Sequence, residues 1–188
     1  MELSNLNTKN GLCISLGANI DSKFGSPIET LIKCKPKVEQ IIRFWIHQSE
    51  PFLKGNASQS QIFYWSSIYE TSPHGVEDEQ PNYLNTLVLV KSNYFPNPSL
   101  ENGISLLKKF KKLERDFGRQ ETPPNHKWLS RCLDLDILWW EDLYLCNKEL
   151  TLPHPRFMNR NFVITPLSEV LSKLQKIQKL DFPRSNID

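Results

Sequence analysis

Near the start of the chain, Leu12, Ile14 and Leu16 alternate with Cys13 and Ser15, and this period of two predicts a strand running into a turn at Gly17-Ala18-Asn19. The period then becomes helical, with apolar residues at Ile28, Leu31, Ile32, Val38, Ile41, Ile42 and Trp45. A start signal precedes that stripe in Ser26-Pro27-Ile28-Glu29: an N-cap serine, proline at the first helical position, and a glutamate closing a capping box. Pro36 lies inside the stripe and predicts a kink or a split, because its ring clashes with the carbonyl of Ile32. Residues 46–60, with Pro51, Gly55 and Asn56, read as a surface loop. Gln61 to Glu70 and Tyr83 to Val90 read as strands, with a polar loop between them. Asn97-Pro98 opens a second helix, whose buried stripe is Leu106, Leu107, Phe110, Leu113 and Phe117 and whose stop is Gly118. Glu114 sits at the margin of that stripe, either reaching back to water or meeting a partner inside. A strand from Arg131 to Leu138, a short extended piece around Tyr144 and a helix from about Thr165 to Lys176 complete the series.

The order strand, helix, strand, strand, helix, strand predicts an α+β fold of the ferredoxin-like kind, one antiparallel sheet with helices packed on it. At 188 residues the chain is long enough for one cored domain. The expected layout is a flexible N-terminus over 1–10, the domain over 11–178 with 46–60 as an insertion loop, and a tail over 179–188. The fold serves many activities and decides none of them.

Composition changes this picture only by exclusion. The chain has 23 Lys and Arg against 21 Asp and Glu, a formal charge of +2, so nothing electrostatic favours nucleic acid. Neither a signal-peptide core nor a membrane-length apolar run is present, and a soluble cytoplasmic protein is expected. Cys13, Cys34, Cys132 and Cys146 have no metal-binding or redox spacing, and read as small buried hydrophobes in a reducing compartment. The glycine-rich loop of P-loop nucleotide enzymes is absent, so any phosphate must be held by arginines and metal.

The chemistry concentrates in Arg131-Cys-Leu-Asp-Leu-Asp-Ile-Leu138. On a strand, Asp134 and Asp136 share one face and Leu133, Leu135 and Ile137 the other. Two adjacent carboxylates repel, and a divalent cation relieves that repulsion; magnesium suits such hard oxygen donors. The alternative is an exposed strand with two solvated acids. Tyr83 and Asn85 likewise share a face, offering a stacking ring beside an amide that both donates and accepts, unless they are an ordinary strand aromatic and a strand-end hydrogen bond. Arg160 and Phe162 pair a cation with an aromatic two residues apart. His154, held between two prolines, could donate to a phosphate or tie down its loop. Arg119, Arg131 and Arg160 together could neutralise a polyphosphate.

Taken in order, Ser15 to Asn19, Ser67 to Thr71, Gln80 to Asn85, Leu113 to Arg119, Arg131 to Leu138 and Leu152 to Leu167 resemble the 6-hydroxymethyl-7,8-dihydropterin pyrophosphokinase family over roughly residues 12–170. The resemblance implies a ferredoxin-like fold and transfer of pyrophosphate from ATP to the pterin hydroxymethyl oxygen, leaving AMP. It implies that Asp134 and Asp136 are ligands of two magnesium ions, and that Arg119 and Arg131 stabilise charge on the transferred group. His154 and Arg160 resemble phosphate contacts, and Glu114, Lys127, Ile137 and Thr151 fall near expected nucleotide contacts. Tyr83 and Phe162 resemble a pair sandwiching the pterin, Thr71 and Asn85 its hydrogen-bonding edge, and Trp128 the tryptophan that closes over the site. The chain departs from the family at Leu129, where glycine is usual, and at His74, where an apolar residue is usual. ATP and the hydroxymethyl pterin are the partners implied, to a monomer that binds neither nucleic acid nor membrane. The rival reading is a binding module of the same fold that senses nucleotide or pterin without turnover, and Leu129 is its one support.

Overall fold

The computed structural model describes residues 11–49, 61–73, 79–120 and 129–180. Strand β1, Gly11–Ala18, is the centre of the sheet and pairs antiparallel with β4, Tyr83–Lys91, on one side and with β5, Asp134–Trp140, on the other. The far edge beyond β4 is made of two short pieces, β2, Ile62–Trp65, and β3, Tyr69–Thr71. Helix α1, Pro27–Ser49, crosses between β1 and this edge, and α2, Leu100–Asp116, crosses between β4 and β5. Each crossover skips a strand that is filled in antiparallel, which is the ferredoxin-like pattern the element order predicts.

Because β1 is the central strand, with helices over all of one face and part of the other, seven of its eight residues are buried. Leu12, Ile14, Leu16 and Ala18 meet Leu31, Cys34, Val38, Ile42 and Trp45 of α1 and Leu106, Phe110 and Leu113 of α2. Each large apolar side chain closed in that layer contributes about 1.5–3 kcal/mol. The opposite face is covered only in part. There α3, Asn161–Leu180, lays Val163, Leu167 and Val170 on Cys13, Leu87, Leu89, Leu138 and Trp139, leaving Ser15, Gly17, Tyr83, Asn85, Asp134 and Asp136 to line a cleft.

Five expectations change. Helix α1 runs without interruption for 23 residues through Pro36, and on to Ser49, so the loop expected from residue 46 starts later; Ile46 is fully buried. Pro36 is tolerated because it lies on the solvent side, where water can reach the carbonyl of Ile32, itself 57% exposed. Ile28 and Ile32 are correspondingly not part of the buried stripe, which is carried by Leu31, Cys34, Val38, Ile42, Trp45 and Ile46. The strand expected over 61–70 breaks at Ser66–Ile68, where side chains replace the sheet ladder. The Ser66 hydroxyl accepts the Leu87 N–H at 2.9 Å, and Glu169 of α3 accepts the Ser67 N–H at 2.8 Å. Finally, α3 begins at Asn161 rather than Thr165, because the Arg160 carbonyl accepts from both Val163 and Ile164.

Among the cysteines, Cys13, Cys34 and Cys132 are buried as expected, whereas Cys146 is exposed. Cys146 lies in β6, Leu145–Cys146, which pairs with β7, Thr151–Leu152, in a separate two-stranded ribbon. No helix among the described residues is long and apolar enough to cross a membrane. Residues 1–10, 50–60 and 181–188, with most of the expected insertion, lie outside the described residues.

Candidate active site

The floor of the cleft is a row across the sheet. Gly17 of β1 stands opposite Asn85 of β4 on one side and Asp134 of β5 on the other, and Asn85 in turn pairs with Tyr69 of β3. To one side of this row Ser15 stands opposite Asp136, and to the other side Tyr83 stands opposite Thr71. Gly17 keeps the middle of this row open: a Cβ there would lie 3.0 Å from the Asn85 amide oxygen. The Asn85 amide nitrogen donates to the Thr71 hydroxyl at 2.8 Å, which fixes the orientation of the amide.

The roof comes from a 3-10 turn, Phe157–Asn159, and the first residues of α3. Phe157 plugs against Trp139 with ring centroids 5.7 Å apart, and the His154 N–H donates to the Leu138 carbonyl at 2.7 Å. Pinned in this way, the turn presents Arg156, Asn159, Arg160 and Phe162 to a cavity of about 370 Å³. The Arg160 guanidinium lies 5.4 Å from the Phe162 ring centroid and its Nη1 is 3.7 Å from Asp136. Arg131 closes the end beside β5. Its backbone is clamped by Asn19, a 2% exposed side chain whose Oδ1 accepts the Arg131 N–H at 2.6 Å.

Charge is distributed unevenly over the two acids. Asp134 Oδ1 accepts from Arg119 at 2.5 Å and Oδ2 from Arg131 at 2.6 Å. Burial alone would raise this carboxyl, but Arg131 and Arg119 outweigh it and hold Asp134 below the usual carboxylate range. Asp136 goes the other way, raised by burial and by the charge of Asp134 beside it. Glu114 resolves its open reading in favour of an inside partner. It is 1% exposed, accepts the Leu135 N–H and Lys111 at 2.8 Å each, and meets Arg119 at 2.8 Å. Burial nevertheless pushes its carboxyl up.

Of the residues singled out from sequence, Thr71, Tyr83, Asn85, Arg131, Asp134, Asp136, Arg160 and Phe162 line the one cavity. Arg119 and Glu114 lie beside it through Asp134. His154 is half-buried next to Asp136, its Nδ1 accepting the Arg156 N–H at 3.3 Å, and burial pulls its pKa down. Ile137 and Thr151 do not line the cavity. The Ile137 side chain belongs to the core on the other face, and the Thr151 hydroxyl donates to the Asn147 carbonyl at 3.4 Å. Lys127, Trp128 and His74 lie outside the described residues. Leu129 is 37% exposed, and its carbonyl accepts from the Tyr83 hydroxyl at 3.4 Å. Sequence reasoning missed Ser15, Leu16, Gly17, Ser72, Arg156 and Asn159 as lining residues. For Ser15 and Gly17 the available signal was the period of two that marked the acids: small residues on one face of an otherwise apolar strand.

Two observations bear on what the cleft can hold. Among the described residues Arg131 Nε is buried without a hydrogen-bond partner, a donor suited to a phosphate oxygen. Asp134 and Asp136 supply hard oxygens, and among the described residues no third His, Cys, Asp or Glu completes a protein cage. That fits magnesium, which typically takes one or two carboxylates and fills its shell with water and substrate phosphates.

An α+β sandwich with paired acids, arginines and an aromatic-lined pocket on one sheet face suits a phosphate-transferring enzyme. The comparisons make it specific. The sequence matches the family described as 7,8-dihydro-6-hydroxymethylpterin-pyrophosphokinase over residues 13–172, and the chain belongs to that family. It is 30% identical to the 2-amino-4-hydroxy-6-hydroxymethyldihydropteridine pyrophosphokinase of Haemophilus influenzae, over 86% of this chain and 81% of that protein. It is also 30% identical to the protein of the same name from Aquifex aeolicus, over 84% and 78% respectively. A match of 30% identity to the folic acid synthesis protein fol1 of Schizosaccharomyces pombe covers 85% of this chain but 18% of that longer protein. Family membership makes the chain a pyrophosphokinase of folate biosynthesis, a transferase.

Proposed function

We propose that the cleft joins the two substrates of this pyrophosphokinase, moving pyrophosphate from ATP to the hydroxymethyl oxygen of 6-hydroxymethyl-7,8-dihydropterin and releasing AMP. The observation that carries this reading is the cross-strand row Asn85, Gly17, Asp134: a heterocycle-sized slot and an acidic pair share one floor. The pterin lies between Tyr83 and Phe162, with its amino and ring-nitrogen edge toward Asn85 and Thr71. The ATP phosphates lie over Asp134 and Asp136, contacted by Arg131, Arg160 and His154. Glu114 serves this site through Arg119, whereas Ile137 and Thr151 lie off the cavity and take no side-chain part in this reading.

Asp134 and Asp136 would hold magnesium, two ions in the full complex, and when bound it screens the charge on the phosphate oxygens. The chain's own contribution is position and charge. Gly17 lets the acceptor approach the acid row, the aromatic pair fixes the plane of the pterin, and Arg119 and Arg131 meet the negative charge that develops on the transferred group. No strong base is needed in the described residues, since the demand is for in-line alignment and exclusion of water. A cytoplasmic, monomeric enzyme is part of the same proposal.

The test is product analysis. Purified protein given ATP, magnesium and the hydroxymethyl pterin should form AMP and the pterin diphosphate in equal amounts, and no AMP when the pterin is omitted. Release of ADP, or turnover indifferent to the pterin, would contradict the proposal.

A further inference from the structure

One arginine nitrogen bridges two acids of different kinds. Nη1 of Arg119 lies 2.5 Å from Asp134 Oδ1, on the cleft floor, and 2.8 Å from Glu114 Oε2, in the interior. The other carboxylate oxygen, Oδ2, accepts from Arg131, so each oxygen of Asp134 already faces a guanidinium. A cation seeking Asp134 therefore meets an occupied ligand. Glu114, by contrast, is anchored without Arg119: its Oε1 accepts both the Leu135 N–H and Lys111.

The backbone makes the same connection a second time. Helix α2 ends with Phe117 as C-cap and Gly118 at φ 102°, and the Gly118 N–H returns to the Arg115 carbonyl at 2.9 Å. The Arg119 N–H returns to the Glu114 carbonyl at 3.0 Å, completing a Schellman motif. Backbone and side chain of Arg119 are thus both tied to Glu114, whichever acid on the floor the guanidinium also touches.

We propose that Arg119 is a counter-ion of Asp134 that competes with a divalent cation for it, and that Glu114 is a positioning residue that takes over Arg119 when the cation claims Asp134. This rests on the reading of Asp134 and Asp136 as the metal-holding pair. The same nitrogen touches both acids, so the hand-over needs no large movement. It removes a positive charge from the side of the incoming cation while keeping the guanidinium beside the phosphates it later serves. Without Glu114, Arg119 stays on Asp134 and competes.

Binding of Mn²⁺ to nucleotide-free protein, measured by electron paramagnetic resonance and by calorimetry, tests this apart from turnover. A thermal melt confirms that each variant is folded. Arg119→Ala should bind Mn²⁺ about tenfold tighter than the unaltered protein, the size expected for one charge-assisted hydrogen bond. Glu114→Gln keeps an acceptor for the Leu135 N–H and should bind it about tenfold more weakly. Asp136→Ala should abolish binding and so locate the ion. The decisive variant is Glu114→Gln combined with Arg119→Ala, which should bind like Arg119→Ala alone, because Glu114 acts through Arg119. If Glu114→Gln weakens binding equally in both backgrounds, Glu114 acts by its charge alone and the hand-over is overturned. If Mn²⁺ binds but Arg119→Ala leaves the affinity unchanged, the competing role is overturned and the metal reading survives. Absence of binding in both the unaltered protein and Arg119→Ala overturns the two together.

Discussion

At the scale of single residues, the acid pair illustrates what spacing alone conveys. A period of two on a strand is enough to put Asp134 and Asp136 on one face and Leu133, Leu135 and Ile137 on the other, as found. Spacing could not say that both oxygens of Asp134 are engaged by arginines, one of them arriving from a helix end 15 residues earlier. Such contacts depend on tertiary geometry. The same limit applies to Glu114, whose burial is set by the packing of α2 on β5 and has no signature in its neighbours. Asp136→Ala should lower turnover by several orders of magnitude with little change in melting temperature, read by steady-state AMP formation. Near-normal turnover would remove the metal role from this residue. Gly17→Ala places a methyl group 3.0 Å from the Asn85 amide oxygen and should weaken pterin binding at least tenfold, measured as a raised KM for the pterin with KM for ATP unchanged. Cysteine chemistry gives an independent check on burial. Burial pushes the Cys34 thiol up to about 12 and the Cys13 and Cys132 thiols above their ordinary value, while Cys146 is exposed. One thiol should therefore react rapidly with a thiol reagent in the native protein, and all four after unfolding.

At the scale of elements, existence and order were legible and continuity was not. The hydrophobic periods locate β1, α1, β4, α2 and β5, but the effects of Pro36 and Ser66 depend on which side faces water, which the periods do not convey. Pro36 sits on the solvent side of α1 and leaves the helix whole; Ser66 faces β4 and divides an edge strand. The divided strand is held by Glu169, which accepts from the Ser67 N–H, the Ser67 hydroxyl and the Tyr69 hydroxyl at 2.8, 3.1 and 2.9 Å, with Lys173 at 2.6 Å. Burial would raise this carboxyl, but the four donors outweigh it and bring it down to about 2. A folded-state value below the unfolded one stabilises the fold above the unfolded pKa. That contribution is lost as the pH falls from about 4.5 toward about 2. After allowance for its partial exposure, it amounts to about 1–2 kcal/mol. Glu169→Gln should flatten the pH dependence of urea stability in that window and leave the variant less stable by that amount at pH 7. An unchanged acid limb would show that Glu169 does not hold the edge. Since β3 carries Thr71, and Thr71 orients Asn85, the same variant should also raise KM for the pterin modestly.

At the scale of the whole molecule, the helices divide unequally between the faces of the sheet. Two crossover helices cover one side completely, and α3 covers part of the other, so the uncovered portion of β1, β4 and β5 becomes a floor with charged and aromatic edges. The element order was sufficient to anticipate this sandwich. It could not reveal the 3-10 turn that lowers Arg156, Asn159 and Arg160 over the floor, because that turn is positioned by Phe157 against Trp139, two residues far apart in the chain. The central claim is that the aromatic slot and the acid pair are a single pocket receiving both substrates at once. Calorimetric titration of the hydroxymethyl pterin, with and without magnesium and a non-hydrolysable ATP analogue, addresses it directly. The account predicts that the nucleotide and metal tighten pterin binding at least tenfold, and that Asp136→Ala abolishes the gain. Equal pterin affinity in the presence and absence of nucleotide and magnesium would contradict it.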